Sequence, residues 1–202
     1  MKLLLAGGAL AGPAFVAAFL IEGARRADYD PARHPVSSLA LGPGGWRQAA
    51  NVATAGALYL GLGAGLRQSS RGDALVAAAT GAGLLASAVF TTDPVSGYPP
   101  ETASRPRKSS CEGQLHDLAA LPIFLGLPVG QLVTAWLCRR QDRPWALASA
   151  AAGITMLWTL SGFSRGFSQD PHFVDRAGRL QRVGVTTGFL WLSGQALRAG
   201  RT

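Results

Sequence analysis

Six runs of residues carry no charged side chain at all: 3–21, 49–66, 74–92, 118–137, 145–163 and 183–197. Five of them reach roughly 18 residues or more, the length at which a helix crosses about 30 Å of hydrocarbon. The last is shorter. A soluble chain of 202 residues would show narrow apolar stripes at helical spacing instead. Within a bilayer a single segment satisfies its own backbone hydrogen bonds only as a helix. The expected fold is therefore all-α: an integral membrane bundle of six transmembrane helices, forming a single domain over residues 1–202. Charged residues make up only 15% of the chain, against about a quarter in a soluble domain, and the deficit is concentrated in these runs.

The first run follows Lys2 and has the positive start and apolar core of a signal peptide. No clean small-x-small cleavage site follows it, and further spans do, so it is read as span one. Spans two and three are joined by the short cationic turn 67–73, and spans four and five by 138–143. The other connections, 22–47, 90–117 and 164–182, are long and polar. Alternation puts both termini on the side of the short turns and all three long connections on the other side.

The net charge of +8 and pI near 10.7 would suggest nucleic acid in a soluble protein. Here the arginines flank apolar runs, so lipid phosphate head groups are the partners indicated, and nucleic acid is not. Lys2, Arg67, Arg71, Arg139, Arg140, Arg143, Arg198 and Arg201 lie on the short-turn side. The other eleven of the 19 basic residues, among them Arg105, Arg107 and Lys108, lie opposite. Of the 11 acids, only Asp73 and Asp142 lie on the short-turn side. The compact, densely basic turns favour a cytoplasmic short-turn side, with both termini cytoplasmic in the cell membrane. The raw basic count alone runs the other way. Cys111 and Cys138 fall on opposite sides and stay unpaired. Glycine pairs four apart, such as Gly8/Gly12 and Gly184/Gly188, read as close packing within one bundle rather than a dimer motif. Nothing in the sequence sets an oligomeric state.

The centre of the polar side is residues 90–117. Pro94, Pro99, Pro100 and Pro106 forbid a continuous helix there. Most of this connection, 96–113, reads as mobile covering. Its two ends matter more: Asp93 leaves span three, and His116 and Asp117 open span four at the same depth. Pro122 and Pro128 inside span four predict kinks that open space near His116. An acid and an imidazole on adjacent helices form an acid–base pair. Arg182, supported by Arg165, would clamp an anionic group. The Ser37-Ser38 turn, in which either serine would cap a helix start, joins this face, as does His34.

Two other readings compete. His34, His116 and His172 all fall on the long-connection side, and three imidazoles with a carboxylate would make an open zinc site. The HxxxH or HxxH spacing of membrane metallohydrolases is absent, so no metal is assigned and zinc stays the subordinate reading. The structural reading is plainer: Asp93 caps a turn, His116 donates to a carbonyl, Asp117 caps span four, and Arg182 pairs with an acid. Paired charges in 22–47, including Arg25, Arg26, Asp28 and Asp30, read as a solvated or head-group-level loop. Tyr98, Trp46, Trp145, Trp158 and Trp191 read as belt or packing residues.

The segments YDPARHPVSSLALGPGGWRQAANVATAG into span two, FTTDP out of span three, LHDL into span four and GRLQRVGVTTGFLW into span six resemble the domain-of-unknown-function 998 family. The resemblance runs over nearly the whole chain and rests on the order and spacing of short motifs. It implies a membrane protein of about six helices, with a polar cluster from Ser37, Ser38, Asp93, His116 and Arg182. It implies no reaction. The sequence departs from the pattern at Gln181, where an acid is expected, so an acid–arginine pair with Arg182 is lacking there.

Three function classes follow. The first is a membrane protein binding a lipid or small amphiphile in a polar-lined site at the long-connection face. The second is a membrane isomerase, cyclase or hydrolase acting on a hydrophobic substrate through Asp93 and His116. The third is a small transporter, the weakest, because no charge lies mid-span and no internal repeat is evident.

Overall fold

In a computed structural model, residues 1–104 and 109–201 are described. Pro106 and the cations Arg105, Arg107 and Lys108 lie outside the described residues. The helices are α1 (Lys2–Arg25), α2 (Trp46–Leu66), α3 (Arg71–Val89), α4 (Cys111–Leu121), α5 (Leu127–Cys138), α6 (Arg143–Phe167) and α7 (Ala177–Ala199). A π-helical turn, Pro122–Gly126, joins α4 to α5, so the two form one continuous span, Cys111–Cys138. The chain thus makes six membrane-scale helices. Five are long and apolar enough to cross a membrane. The sixth, α7, is diluted by Gln181, Arg182, Thr186, Thr187 and Gln195.

Every helix outruns its apolar stretch at one end or the other. Hydropathy marks the part that meets hydrocarbon, whereas capping decides where a helix stops. The largest difference is at α4, expected near residue 118 and found to start at Cys111. Ser110 accepts the Gly113 backbone N–H at 2.9 Å, so it is the N-cap in place of Asp117. Neither Ser37 nor Ser38 caps a helix through its side chain. They lie inside a 3-10 turn, Val36–Ala40, that follows Pro35.

The helices pack in chain order: α1 on α2, α2 on α3, α3 on α4, α5 on α6 and α6 on α7, and α1 closes the ring on α7. Gly12 makes the closure. A Cβ there would sit 2.5 Å from the Phe189 carbonyl oxygen, an approach only glycine permits. The interior is filled at mid-depth by Phe15, Tyr59 and Phe189. Their rings meet at 4.9 Å for Phe15–Phe189 and 5.2 Å for Tyr59–Phe189. Leu3, Leu75, Trp136, Ile154 and Trp158 point outward as a lipid-facing surface.

Two expectations about the loops are corrected. Residues 22–47 do not form a merely solvated loop. Glu22 is buried and receives Arg26 Nε at 3.0 Å. Arg26 also donates to the carbonyls of Leu39 and Leu41 at 2.8 and 3.0 Å, which holds the 3-10 turn against the end of α1. Nor is 96–113 free covering throughout. Ser96 and Tyr98 are buried, Ser96 N–H donates to the Ser104 carbonyl at 2.7 Å, and residues from 111 onward are helical.

Candidate functional site

The ring is not filled at its long-connection end. A cavity of about 480 Å³ lies there, with walls from α1, α2, α3, α4, α6 and α7. Phe15 and Phe189 make its floor, and Val52, Leu84, Ile123, Phe163 and Val185 its lower walls. Pro35–Ser37 and Thr92–Val95, from two long connections, roof it. The π-helical turn is the local reason for the space. Pro122 opens it and Pro128 lies just beyond it, and each removes a backbone donor and crowds the preceding turn. A π turn absorbs the mismatch. The consequence is that α5 follows α6, whereas α4 leans on α3 and makes at most marginal contact with α6 among the described residues.

Asp93, His116 and Asp117 all line this cavity, as does Ser37. Asp93 Oδ2 accepts the Ser110 backbone N–H at 2.9 Å, at the helix end where a carboxylate is favoured. His116 Nδ1 lies 2.9 Å from the Phe90 carbonyl oxygen. A carbonyl only accepts, so Nδ1 carries the proton of the neutral ring and Nε2 keeps its lone pair. Asp117 is exposed and lies within electrostatic reach of both His116 and Asp93.

The other sequence candidates lie elsewhere. Arg182 does not reach Asp93 or Asp117. Its Nη1 donates to the carbonyls of Pro31 at 2.7 Å, His34 at 3.0 Å and Gly178 at 3.0 Å, and its Nη2 to the Tyr29 hydroxyl. Both Nη atoms are taken up by these four acceptors, so the side chain ties residues 29–34 to α7 rather than presenting itself to an anion. Arg165 pairs with Asp170 at 2.8 Å and covers the Phe173 ring. The His172 backbone N–H, aided by Arg165, holds the Asp170 carboxyl below the usual carboxylate range. Ser38 is fully buried, its hydroxyl without a partner among the described residues.

His34 is a packing residue. It is buried between Tyr29 and Tyr98, whose ring centroids lie 5.5 and 5.1 Å away. Its Nδ1 accepts the Asp30 backbone N–H at 2.9 Å. Burial pushes its pKa below the ordinary histidine value. The Tyr29 hydroxyl is pushed up to about 12 by burial, Arg182 pulling the other way. It therefore stays protonated and donates to the Pro35 carbonyl at 2.9 Å. The three histidines do not meet. Among the described residues no three of His, Cys, Asp or Glu are grouped to hold a metal ion.

Gln48, Ser87, Ser164 and Gln181 also line the cavity, and sequence reading did not select them for it. Gln181 Oε1 accepts the Val36 N–H at 2.8 Å, which fixes the roof turn to α7. A glutamine can do this work because the task is acceptance, which an acid at this position would share. Gln48 is buried, and its Nε2 has no partner among the described residues. For Gln48 an amide at the polar end of an apolar run was the only signal, and Gln181 stood out in the sequence only as a departure from the family pattern.

Residues 9–198 match the family described as Protein of unknown function (DUF998). The chain belongs to that family. No curated protein and no solved structure matches it. As a DUF998 member with its apolar helices in a closed ring, it is a multi-pass membrane protein. The match covers every described residue that lines the cavity, from Phe15 to Phe189, so the cavity is built within the family's own segment.

Proposed function

We propose that this protein holds a lipid or small amphiphile in the cavity at the long-connection end of its helix ring. The observation that carries the reading is the division of the lining. Aromatic and aliphatic side chains, from Phe15 to Val185, surround its depth, and Ser37, Asp93, His116 and Asp117 stand at its upper end. A volume of about 480 Å³ is that of a small-molecule pocket, which ordinarily spans about 300–1,000 Å³. The Phe15–Tyr59–Phe189 floor closes the cavity toward the short turns, which suits a one-sided site better than a through-path. In the cell membrane, with both termini cytoplasmic, the cavity lies at the outer leaflet.

The test is native mass spectrometry of protein released from mild detergent. Wild type should retain a bound amphiphile that Ser87→Trp, which fills the cavity, loses. Leu147→Trp, on the outer face, should keep it. No retained mass from any lipid extract offered would end the reading.

A second reading is favoured by one geometric fact. With Nδ1 donating to the Phe90 carbonyl, Nε2 is the ring nitrogen left to exchange a proton with a bound molecule, beside two carboxylates. That is the equipment of an isomerase, cyclase or hydrolase acting on the bound molecule. Cells expressing His116→Gln at equal level should then accumulate an unmodified lipid. Identical lipid profiles for wild type and variant would eliminate it.

A further inference from the structure

The cavity's exposed lining residues all lie on one side of the ring. They are Ser109, Asp117, Leu121, Leu125 and Ser164, from the Cys111–Cys138 span and its approach and from α6. The lining residues of α1, α2, α3 and α7 are buried or half-buried. Leu121 and Leu125 are 45% and 46% exposed while also facing the cavity. The wall is therefore open where α4 leaves α6. The roof residues above, Pro35–Ser37 and Thr92–Val95, are buried or half-buried, so the opening is lateral.

The gap is graded along the membrane normal. Asp117 stands six residues into α4, about 9 Å along its axis at 1.5 Å per residue. Leu121 and Leu125 follow one and two turns deeper, on the same helical face. Polar groups (Ser109, Asp117, Ser164) thus occupy the head-group end, and leucines the hydrocarbon end.

We infer that the cavity is loaded sideways from the bilayer, through the gap between α4 and α6, and that its ligand is a membrane-dissolved, single-chain amphiphile standing head toward the long connections. This rests on the amphiphile-binding reading above and adds the source and the chemical class. The chain slides past Leu121 and Leu125 into the space above Phe15 and Phe189. The head keeps to the level of Asp117, His116 and Ser164, so no polar group has to cross hydrocarbon. The room inside the ring suits one chain with a small head, not a two-chain phospholipid. No cation among the described residues lines the cavity: Arg182 and Arg165 are committed elsewhere. The described groups at head level are carboxylates, an imidazole and hydroxyls. They match a hydroxyl or amine head.

The probe is a diazirine-bearing monoacylglycerol, partitioned into phospholipid vesicles that contain the full chain and photolysed. Its counterpart is a small, water-soluble diazirine alcohol. Adducts are mapped by mass spectrometry. The lipid probe should mark interior residues Phe124, Leu160 and Phe163. With Leu121→Trp, which fills the gap, interior adducts should fall about tenfold, the ratio a steric cost of about 1.4 kcal/mol produces. Adducts on outward-facing Leu147 and Ile154 should not change. Leu125→Trp serves as an independent closure if the first variant fails to fold. Interior labelling that is undiminished in a folded gap-filled variant overturns lateral loading. So does interior labelling by the aqueous probe alone, although the binding site would then stand. No interior adduct from either probe overturns the binding reading and the inference together.

Discussion

Arg182 Nη1 and the carbonyl of Pro31 are joined at 2.7 Å across 151 positions of chain. The same guanidinium binds the carbonyls of His34 and Gly178 and the hydroxyl of Tyr29. Gly178 allows this approach, since a Cβ there would lie 2.5 Å from the His34 carbonyl oxygen. Removing the fork takes a charged donor away from three part-buried acceptors, the His34 and Gly178 carbonyls and the Tyr29 hydroxyl. Arg182→Ala should lower stability by about 2–3 kcal/mol, a typical cost for charge-assisted bonds, read as a lower Tm in detergent. Arg182→Lys should recover little of it, because a point charge cannot serve a fork of acceptors. A variant with unchanged Tm would show that the clasp is not what holds the roof.

His34 makes the same clasp pH-sensitive. Its folded pKa lies below the ordinary value because the ring is buried, and its Nδ1 must stay unprotonated to accept the Asp30 N–H. The unfolded chain titrates near pH 6.5 and binds more protons than the folded one just below it. The His34 contribution is thus fully present above about pH 6.5 and is lost as pH falls toward the folded pKa. Tm should decline on acidification through this window in wild type. It should decline less in His34→Gln, whose side-chain oxygen can accept the same N–H at any pH. Parallel wild-type and variant curves would rule the histidine out as the cause.

The architecture was legible because it follows from lengths and charges alone. Apolar runs set the spans, and alternation set which connections share a side. Pro122 and Pro128 even announced the distortion beside His116, since proline acts locally. The site was legible only in part, and for a physical reason. Asp93, His116 and Asp117 are placed by the ends of consecutive helices, which sequence order fixes. Arg182 looked like an anion clamp because its chemistry is that of one. Yet what a guanidinium binds depends on which carbonyls a loop 150 residues away turns toward it. Gln48 was invisible for a similar reason, and Gln181 was noticed only for the acid it replaces: an amide near the end of an apolar run shows no role until a ring closes around it.

Ring closure depends on one small residue. At Gly12 a side chain would strike the hydroxyl of Ser193 and the backbone of Phe189, and that backbone cannot move without separating α1 from α7. Gly12→Val should cost about 1–3 kcal/mol, the usual penalty of overpacking. Gly72, in the first turn of α3, has nothing within 4 Å of a built Cβ. Gly72→Ala should be neutral or stabilise by about 0.4–1 kcal/mol through the unfolded chain. Thermal melts of the two variants in one detergent make the comparison. Equal effects would mean that α1 and α7 are not in the contact described.

The orientation of the ring can be read from its own cysteines. Cys111 is exposed at the start of α4, on the side of the long connections, and Cys138 ends α5 at the opposite side. They are the two cysteines of the chain, and both are free. With the termini cytoplasmic, a membrane-impermeant maleimide applied to intact cells should label Cys111 and spare Cys138. Cys111→Ser should abolish that labelling. Cys138 should become reactive only after the membrane is opened, and then slowly, since it is only partly accessible. The same experiment decides which leaflet the α4–α6 gap faces, because Cys111 heads the helix that forms one edge of it. Labelling of Cys138 in intact cells would invert the protein and turn the gap toward the inner leaflet.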